Sequence, residues 1–196
     1  AAKEIAWQKD SAITFMAKWD QAQAGSSMHI HVSLWDASGA RPLFQGNDEL
    51  GSLRVSPIFR WLLGGWMEHV REMSTFYAPY PTSYKRYVAG TFAPTKIAWA
   101  PENRTAGFRI VGHGPSLRIE CRIPGADANP YLAFAATLAA GLDGIENETE
   151  PPSPVVGDAY GMANLPSVPL TLNEAITELE SSDWMRQVFG EDVVNH

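Results

Sequence analysis

The sequence has a single cysteine, Cys121, and no long uncharged apolar run among its 196 residues. One cysteine excludes an internal disulfide and favours a reducing compartment, so we expect a cytoplasmic protein. The lack of a long apolar run predicts that no helix spans a membrane. Basic residues are also few, 15 against 22 acidic ones, and the net charge of -7 argues against a general nucleic-acid-binding protein.

Two short catalytic signatures are missing as well. The sequence contains no glycine-rich phosphate loop of the P-loop type and no nucleophile elbow. Hydrophobic residues make up 45% of the chain and charged residues 19%, which is typical of a globular protein with a core. Function therefore has to be inferred from several weaker patterns taken together.

Hydrophobic periodicity predicts a mixture of strands and helices without an internal repeat. Two strands with strict alternation are predicted at 28–35 and 116–123, and a short one at 14–17. Helices are predicted at 1–9, from Ser56-Pro57 to about residue 75, from Asn129-Pro130 through 131–145, at 171–180 and at 183–189. The helix at 131–145 is apolar almost all round and should be buried, while the proline-rich segment 146–169 predicts a long functional or surface-wrapping loop.

The strand at 28–35 places His29, His31 and Ser33 on one face, opposite a fully apolar face. Two imidazoles in one cleft can bind a metal or, when protonated, a phosphate. The alternative is an ordinary amphipathic strand with solvent-facing histidines. The strand alone does not decide between these interpretations.

The strand at 116–123 repeats the pattern with Arg118, Glu120 and Arg122 on one face and Cys121, expected to be an inert core thiol, on the other. This row of charges either lies on the surface, where cross-strand pairs stabilise it, or lines an active site. Guanidinium groups neutralise phosphates and carboxylates, and a carboxylate can bind Mg²⁺ or Mn²⁺. Histidines and a carboxylate with arginines nearby suit phosphoryl transfer.

Five segments, in this order, resemble the glutamine synthetase family. They are Gly-Ser-Ser-Met-His-Ile-His-Val-Ser at 25–33, Ser-Tyr-Lys-Arg at 83–86, Asn-Arg-Thr at 103–105, Arg-Ile-Glu-Cys-Arg at 118–122 and Asn-Pro-Tyr-Leu-Ala-Phe-Ala-Ala at 129–136. The resemblance runs from about residue 6 to 145 and more weakly to 189. Several motifs in the same order are far more specific than any one of them.

The resemblance implies an α+β fold like that of glutamine synthetases and guanidino kinases, with antiparallel strands of an open barrel and helices outside. Residues 1–196 would form one partial catalytic domain. The family's N-terminal β-grasp domain, the first catalytic strands and the C-terminal end would lie outside it. We expect this chain alone to be inactive, and the full-length protein to form a homo-oligomeric ring, a dodecamer.

The resemblance also implies roles for individual residues. His29 and Glu120 match ligands of a divalent metal, Mg²⁺ or Mn²⁺. The other matches bind substrates: Gly25, Arg86 and Arg122 for glutamate, His31, Ser33, Arg109 and Arg118 for ATP, and Arg104 for both. In the family reaction ATP phosphorylates the glutamate side chain, and ammonia or an amine then displaces phosphate. Arg86 and Arg104 are the residues expected to take part in catalysis.

Three departures from the family pattern bear on the acceptor. Phe92 stands where ammonia-using members have a glutamate, Ala24 replaces an asparagine of the glutamate-side loop, and Pro115 replaces a lysine. A phenyl ring cannot take a proton from ammonium but can pack against an organic amine. The pattern therefore favours γ-glutamyl-amine ligation over glutamine synthesis in nitrogen metabolism. A non-catalytic scaffold and a guanidino kinase are the remaining alternatives.

Overall fold

The computed structural model describes residues 1–195, in which runs of strands are followed by runs of helices. The helices α1 to α7 are Ala2–Trp7, Pro57–His69, Ser74–Tyr77, Pro130–Glu146, Leu172–Ser181, Asp183–Phe189 and Glu191–Asn195. The strands β1 to β6 are Ile30–Val32, Asp48–Leu50, Leu53–Val55, Trp99–Pro101, Phe108–Val111 and Arg118–Cys121. Short 3-10 turns occupy Ser83–Arg86, Gly114–Ser116 and Ala159–Gly161.

Four strands form one sheet in the order β1-β6-β5-β4, while β2 and β3 form a separate hairpin. The strand β6 lies between β1 and β5, so His31 of β1 and Arg109 of β5 both lie directly opposite Glu120. Directly paired residues point to the same face of a sheet. One face therefore carries the polar residues, and the other carries Ile30, Phe108 and Cys121, all of them buried.

The mixture of helices and sheet confirms the α+β prediction. Within residues 1–195 the strands form an open sheet and no closed barrel. The strands β4 and β5 run parallel, so the expectation of antiparallel pairing is wrong for this pair. No helix in the described part of the chain is both long enough and apolar enough to cross a membrane.

Both N-terminal strand predictions were wrong in extent: the strand at 28–35 is shorter than predicted, and no strand forms at 14–17. The strand predicted at 28–35 pairs with β6 only over Ile30–Val32, because the flanking residues bond elsewhere. The Met28 amide donates to the Pro124 carbonyl, and the Leu34 carbonyl accepts from the Leu43 amide. No strand forms at 14–17, where the Ala17 carbonyl accepts instead from the Ser26 amide of the following loop.

Helix α2 begins as predicted and ends earlier. The Ser56 hydroxyl caps it by accepting from the Phe59 amide at 3.2 Å. The helix stops at His69 instead of continuing to about residue 75. Just after the helix end, Arg71 and Glu72 turn towards the C-terminal helices, where they bond Glu178 and Ser182.

Helices α2 and α4 pack closely through glycines. A Cβ atom on Gly144 would come within 2.6 Å of the Gly65 Cα, so the two backbones approach where side chains are absent. Only one side of α4 is covered in this way. Tyr131, Leu138 and Leu142 on its other side are exposed, so the prediction that α4 is buried all round was wrong.

The predicted loop at 146–169 does wrap the surface, as expected, after α4 has ended at Glu146. It covers the β4 edge of the sheet: the Val155 amide donates to the Trp99 carbonyl, and the Ile97 amide donates to the Pro166 carbonyl. The Trp99 indole also donates to the Pro152 carbonyl at 2.6 Å. These bonds satisfy backbone groups that a free strand edge would leave unpaired.

A buried histidine joins the C-terminal helices to the helix pair. His69 of α2 lies between the carboxylates of Glu72 and Asp143, 3.0 Å from Asp143 Oδ2, and its ring stacks on Trp184 at 3.8 Å. Trp184 also donates to Asp143, and Ser182 donates to Glu72. Burial alone would lower the pKa of His69, but hydrogen bonds and charges from both carboxylates outweigh it and raise the pKa above its usual value.

The raised pKa makes part of the protein's stability depend on pH. Protonated His69 stabilises the folded state fully below the pKa of an unfolded histidine, about 6.5. That contribution is lost as pH rises through the higher folded-state pKa. We predict that His69→Gln lowers the free energy of unfolding by about 2 kcal/mol at pH 6 and by less at pH 9.

Urea unfolding of both proteins from pH 6 to 9 measures this difference. The control is His113→Gln, because His113 is exposed and has no carboxylate partner among the described residues. A destabilisation by His69→Gln that stays constant across this range contradicts the account.

Candidate active site

Glu120 is the buried centre of the polar face of the sheet, at 3% exposure. Its Oε1 lies 3.0 Å from Arg122 Nη1 and 3.1 Å from His29 Nδ1, and its Oε2 lies 3.1 Å from Arg109 Nη1. Burial alone would raise the pKa of this carboxyl, but Arg122, Arg109 and His29 hold the pKa below its usual value. Glu120 is therefore ionised. The register of the strands places Arg109 and His31 directly opposite it.

The two histidines of the β1 segment lie beside this carboxylate. His31 Nε2 is 3.8 Å from Glu120 Oε1, and His31 Nδ1 accepts from Arg118 Nε at 3.3 Å. Burial, together with nearby arginines, lowers the pKa of both His29 and His31, although Glu120 acts in the opposite direction. Neutral imidazoles next to an ionised carboxylate are the protonation states that metal binding requires.

His29 and Glu120 fit two positions of a divalent metal site. Their donor atoms lie within 3.1 Å of each other, and both protonation states suit a metal ligand. Residues 1–195 contain no group of three or more histidine, cysteine or acidic side chains arranged to hold a metal. Mg²⁺ and Ca²⁺ take six or more ligands, so His29 and Glu120 would fill only two positions of such a site.

A small pocket of about 240 Å³ opens beside this carboxylate. It is lined by Ala24, Gly25, Ser27, His29, Arg86, Thr91, Phe92, Ala93 and Arg122. Two buried guanidinium groups, Arg86 at 2% and Arg122 at 8% exposure, give the pocket positive charge. The size suits a ligand smaller than a drug-sized molecule.

The two guanidinium groups differ in their partners. Arg122 is paired with Glu120, whereas Arg86 has no carboxylate within ion-pair distance among the described residues. Arg86 instead donates to the Ser27 hydroxyl at 2.9 Å and to the Ile123 carbonyl, and its Nε has no partner in the described residues. A buried charge without a counter-ion is costly, so an anion bound in the pocket would stabilise it.

Gly25 allows Arg86 to reach this position. A Cβ atom at Gly25 would lie 2.9 Å from the Ala17 carbonyl oxygen and 3.1 Å from Arg86 Cγ. The guanidinium carbon of Arg86 lies 5.1 Å from the centre of the Tyr87 ring, close enough for a cation–π contact. The sequence places Gly25 and Arg86 about sixty residues apart, and the fold brings them into van der Waals contact.

Phe92 lies at the rim of the pocket. Its side chain is 82% exposed, and its φ of 64° is in the left-handed region. A bulky residue rarely adopts this backbone conformation, which costs about 1–3 kcal/mol. The strained backbone holds an aromatic ring at the entrance with few contacts of its own, so the ring is available to a ligand.

Arg104 and Arg109 line a second and larger cleft of about 700 Å³, together with Glu102, Asn103, Gly157 and Asp158. Arg109 also pairs with Glu120, which pairs in turn with Arg122 of the small pocket, so one charge network links residues of the two cavities. The Asn103 side-chain amide donates to the Gly157 carbonyl at 2.8 Å, and the Ala159 backbone amide donates to the Thr105 hydroxyl at 2.9 Å. The wrapping loop thus fixes the segment that carries Arg104.

His31 and Ser33 line a third groove, of about 460 Å³, between the β1 segment and α4. Ser33 accepts from the Trp35 indole at 3.3 Å. Arg118 lies next to this groove through its bond to His31. The residues assigned by resemblance are thus distributed over three cavities, each lined by at least one residue that contacts Glu120.

Three polar partners were missed by the sequence reasoning. Ser27 bonds Arg86, Glu102 pairs with Arg109, and Thr105 bonds the wrapping loop. Ser27 and Thr105 do lie in motifs that were recognised, next to residues with assigned roles. No sequence pattern pointed to Glu102, because its partner Arg109 lies on a neighbouring strand. Cys121 is fully buried, and burial raises the pKa of its thiol to about 12, as expected for an inert core thiol.

The buried carboxylate should dominate the stability of this face. Glu120→Ala leaves Arg109, Arg122 and His29 without their shared partner, and we predict a loss of about 4 kcal/mol in the free energy of unfolding. Glu102→Ala removes the exposed partner of the same Arg109 and should cost less than about 1 kcal/mol. Denaturant unfolding of both variants measures the contrast, and equal losses would contradict it.

Comparison with known proteins identifies the family to which this chain belongs. The family model described as "Glutamine synthetase, catalytic domain" matches residues 1–196. Over all of this chain, gamma-glutamylethanolamide synthetase GlnA4 of Streptomyces coelicolor is 47% identical, with 40% of its own length covered. A glutamine synthetase of the same organism is 41% identical over 98% of this chain and 42% of its own length.

A glutamate–isopropylamine ligase of a Pseudomonas species is 40% identical over 99% of this chain and 42% of its own length. Among solved structures, ligand-free GmaS superposes with a TM-score of 0.83 at 36% identity, covering 96% of this chain and 43% of GmaS. A complex of GmaS with ADP superposes equally well. The chain spans about 40% of the length of the curated relatives it matches. By its sequence and its fold, the chain belongs to the glutamine synthetase family, in its catalytic domain.

Proposed function

We propose that the protein carrying this chain is an ATP-dependent ligase that joins the side-chain carboxylate of glutamate to a small organic amine. The observation that carries the proposal is the buried Arg86 guanidinium, which faces a small pocket and has no counter-ion among the described residues. A carboxylate ligand matches a guanidinium in both charge and geometry. Arg122 lines the same pocket, which suits a substrate with two carboxylates.

The two arginines of the pocket suggest how glutamate is oriented. Arg122 is bonded to Glu120 at the metal half-site, so it lies on the reacting side of the pocket. Arg86 forms no hydrogen bond or ion pair with His29 or Glu120 in the described residues and would hold the carboxylate that does not react. Fixing both ends of the substrate positions the side-chain carboxylate for transfer.

The larger cleft suits the phosphates of ATP. Arg104 and Arg109 line it, and Glu120 pairs with both Arg109 of the cleft and Arg122 of the pocket, so a γ-phosphate in the cleft and a carboxylate in the pocket would be held by one charge network. His31, Ser33 and Arg118 would contact the nucleotide from the adjoining groove. The GmaS complex with ADP, a protein of similar fold, supports a nucleotide in this family.

His29 and Glu120 would hold Mg²⁺ or Mn²⁺, which neutralises phosphate charge and withdraws electrons from the transferred phosphorus when bound. The side-chain carboxylate oxygen of glutamate attacks the γ-phosphorus, and the bond to the bridging oxygen of ADP breaks. Arg104 would stabilise the charge that develops during this transfer. The amine then attacks the acyl carbon of γ-glutamyl phosphate, and inorganic phosphate leaves.

Phe92 favours an organic amine over ammonia as the acceptor. The ring at the pocket rim offers an apolar surface and no group that could accept a proton from ammonium. Two of the relatives are by name an ethanolamide synthetase and an isopropylamine ligase, which supports this direction. Glutamine synthesis from ammonia is the second candidate, because relatives of 37–41% identity carry that name.

A non-catalytic scaffold is disfavoured by the buried charges. Arg86, Glu120 and Arg122 lie at 8% exposure or less, and burying charge brings no advantage to a scaffold. With two metal-ligand positions among the described residues, the isolated 196-residue chain should be inactive. We propose that the full-length protein is a cytoplasmic homo-oligomeric ring and that it completes the site.

A panel of acceptors tests the function in the full-length protein. With ATP, Mg²⁺ and glutamate, release of ADP should depend on an added amine, and kcat/KM should be higher for ethanolamine or a polyamine than for ammonia. A higher kcat/KM for ammonia would reject the amine proposal and favour glutamine synthesis. No glutamate-dependent ADP release with any acceptor would reject the ligase proposal.

Substitution at the rim tests the role of Phe92. We predict that Phe92→Glu raises kcat/KM for ammonia by about tenfold or more, because a carboxylate at the rim attracts ammonium and can accept its proton. The matched variant Phe92→Leu keeps an apolar side chain and should retain the preference for an amine. Measured acceptor preferences that change equally in both variants would show that charge is not the cause.

A further inference from the structure

The loop before β1 places Ser27 in the wall of the small pocket. The Ser26 amide donates to the Ala17 carbonyl at 2.7 Å, and the Ser26 carbonyl accepts from the Ala126 amide at 3.1 Å. Ser27 itself forms an isolated bridge with Gly125. These backbone bonds fix the position of Ser27, which lines the pocket.

The Ser27 hydroxyl has one hydrogen left to donate. It accepts from Arg86 Nη1 at 2.9 Å, so its own hydrogen must point away from the guanidinium. The hydroxyl donates no hydrogen bond to any group among residues 1–195. Because Ser27 is exposed and lines the pocket, the free donor is available to a ligand next to Arg86.

Arg86 on its own offers a ligand a reduced set of donors. One hydrogen of Nη1 goes to Ser27 and one of Nη2 goes to the Ile123 carbonyl. One hydrogen remains on each of these nitrogens, and Nε is buried without a partner in the described residues. A carboxylate with four lone-pair positions bound at Arg86 would therefore accept a further donor from its surroundings.

The same pocket lacks a donor at a neighbouring position. Ala24 lines the pocket, and its methyl group cannot donate a hydrogen bond. Ser27 lies three residues further along the same loop. The Ser27 hydroxyl can therefore supply a side-chain hydrogen bond on this side of the pocket, where Ala24 cannot.

Resting on the proposed function, we propose that Ser27 is a further substrate-binding residue. Its hydroxyl accepts from Arg86 and donates to the α-carboxylate of glutamate, the carboxylate that does not react. This contact is the same in the ground state and in the transition state. Its removal should therefore weaken glutamate binding and leave the chemical step nearly unchanged.

The test uses the full-length protein and three serine variants. Ser27→Ala should raise KM for glutamate by about tenfold or more, as expected for loss of a hydrogen bond to a charged group. Its kcat should change by less than about twofold. Ser27→Thr, which keeps the hydroxyl, should restore most of the affinity. The neighbouring Ser26→Ala, outside the pocket, is the matched control.

A substrate analogue separates the proposed contact from a general loss of structure. The analogue 4-aminobutyrate has the side-chain carboxylate and the amine of glutamate but no α-carboxylate. As an inhibitor competing with glutamate, it should bind wild type and Ser27→Ala equally within about twofold. An equal loss for glutamate and the analogue would overturn the proposal, since it would show a structural effect.

Calorimetry distinguishes the failure of this inference from failure of the proposed function. If the wild type binds and turns over glutamate while Ser27→Ala is unchanged in KM, only the Ser27 proposal is overturned. If the wild type binds no glutamate in the presence of ATP and Mg²⁺, the proposed function fails, and the Ser27 proposal fails with it.

Discussion

The ionised carboxylate of Glu120, buried between two guanidinium groups and an imidazole, is the constraint on which the rest of the site depends. Burying a carboxylate is costly unless positive charge and hydrogen bonds compensate, and here the compensation comes from Arg109, Arg122 and His29. The central position of β6 makes this possible, because strands on both sides contribute a partner. The same contacts join the small pocket to the larger cleft, so one charge network organises both.

The difference between Arg122 and Arg86 follows from this network. Glu120 neutralises Arg122 and leaves Arg86 without a carboxylate among the described residues, although Arg86 is the more deeply buried of the two. The fold maintains this uncompensated charge through Ser27, the Ile123 carbonyl and the ring of Tyr87. A carboxylate substrate would then complete the charge balance of the pocket on binding.

Sequence alone predicted the polar faces of the two site strands correctly, since side-chain alternation depends only on the local backbone. It could not predict that Arg109 lies opposite Glu120, because the register between strands is set by tertiary packing. For the same reason it missed the exposed side of α4, whose burial depends on what packs against it. The roles carried over by family resemblance remain proposals, although the fold brings most of those residues to one face of the sheet.

The central claim is that the protein activates the side-chain carboxylate of glutamate by phosphorylation, and an oxygen label tests it most directly. Glutamate labelled with ¹⁸O in both side-chain carboxylate oxygens is turned over by the full-length protein with ATP, Mg²⁺ and ethanolamine. If γ-glutamyl phosphate forms and the amine displaces phosphate, each inorganic phosphate carries one ¹⁸O and the amide product keeps the other. Unlabelled phosphate, with product formed, would contradict the account.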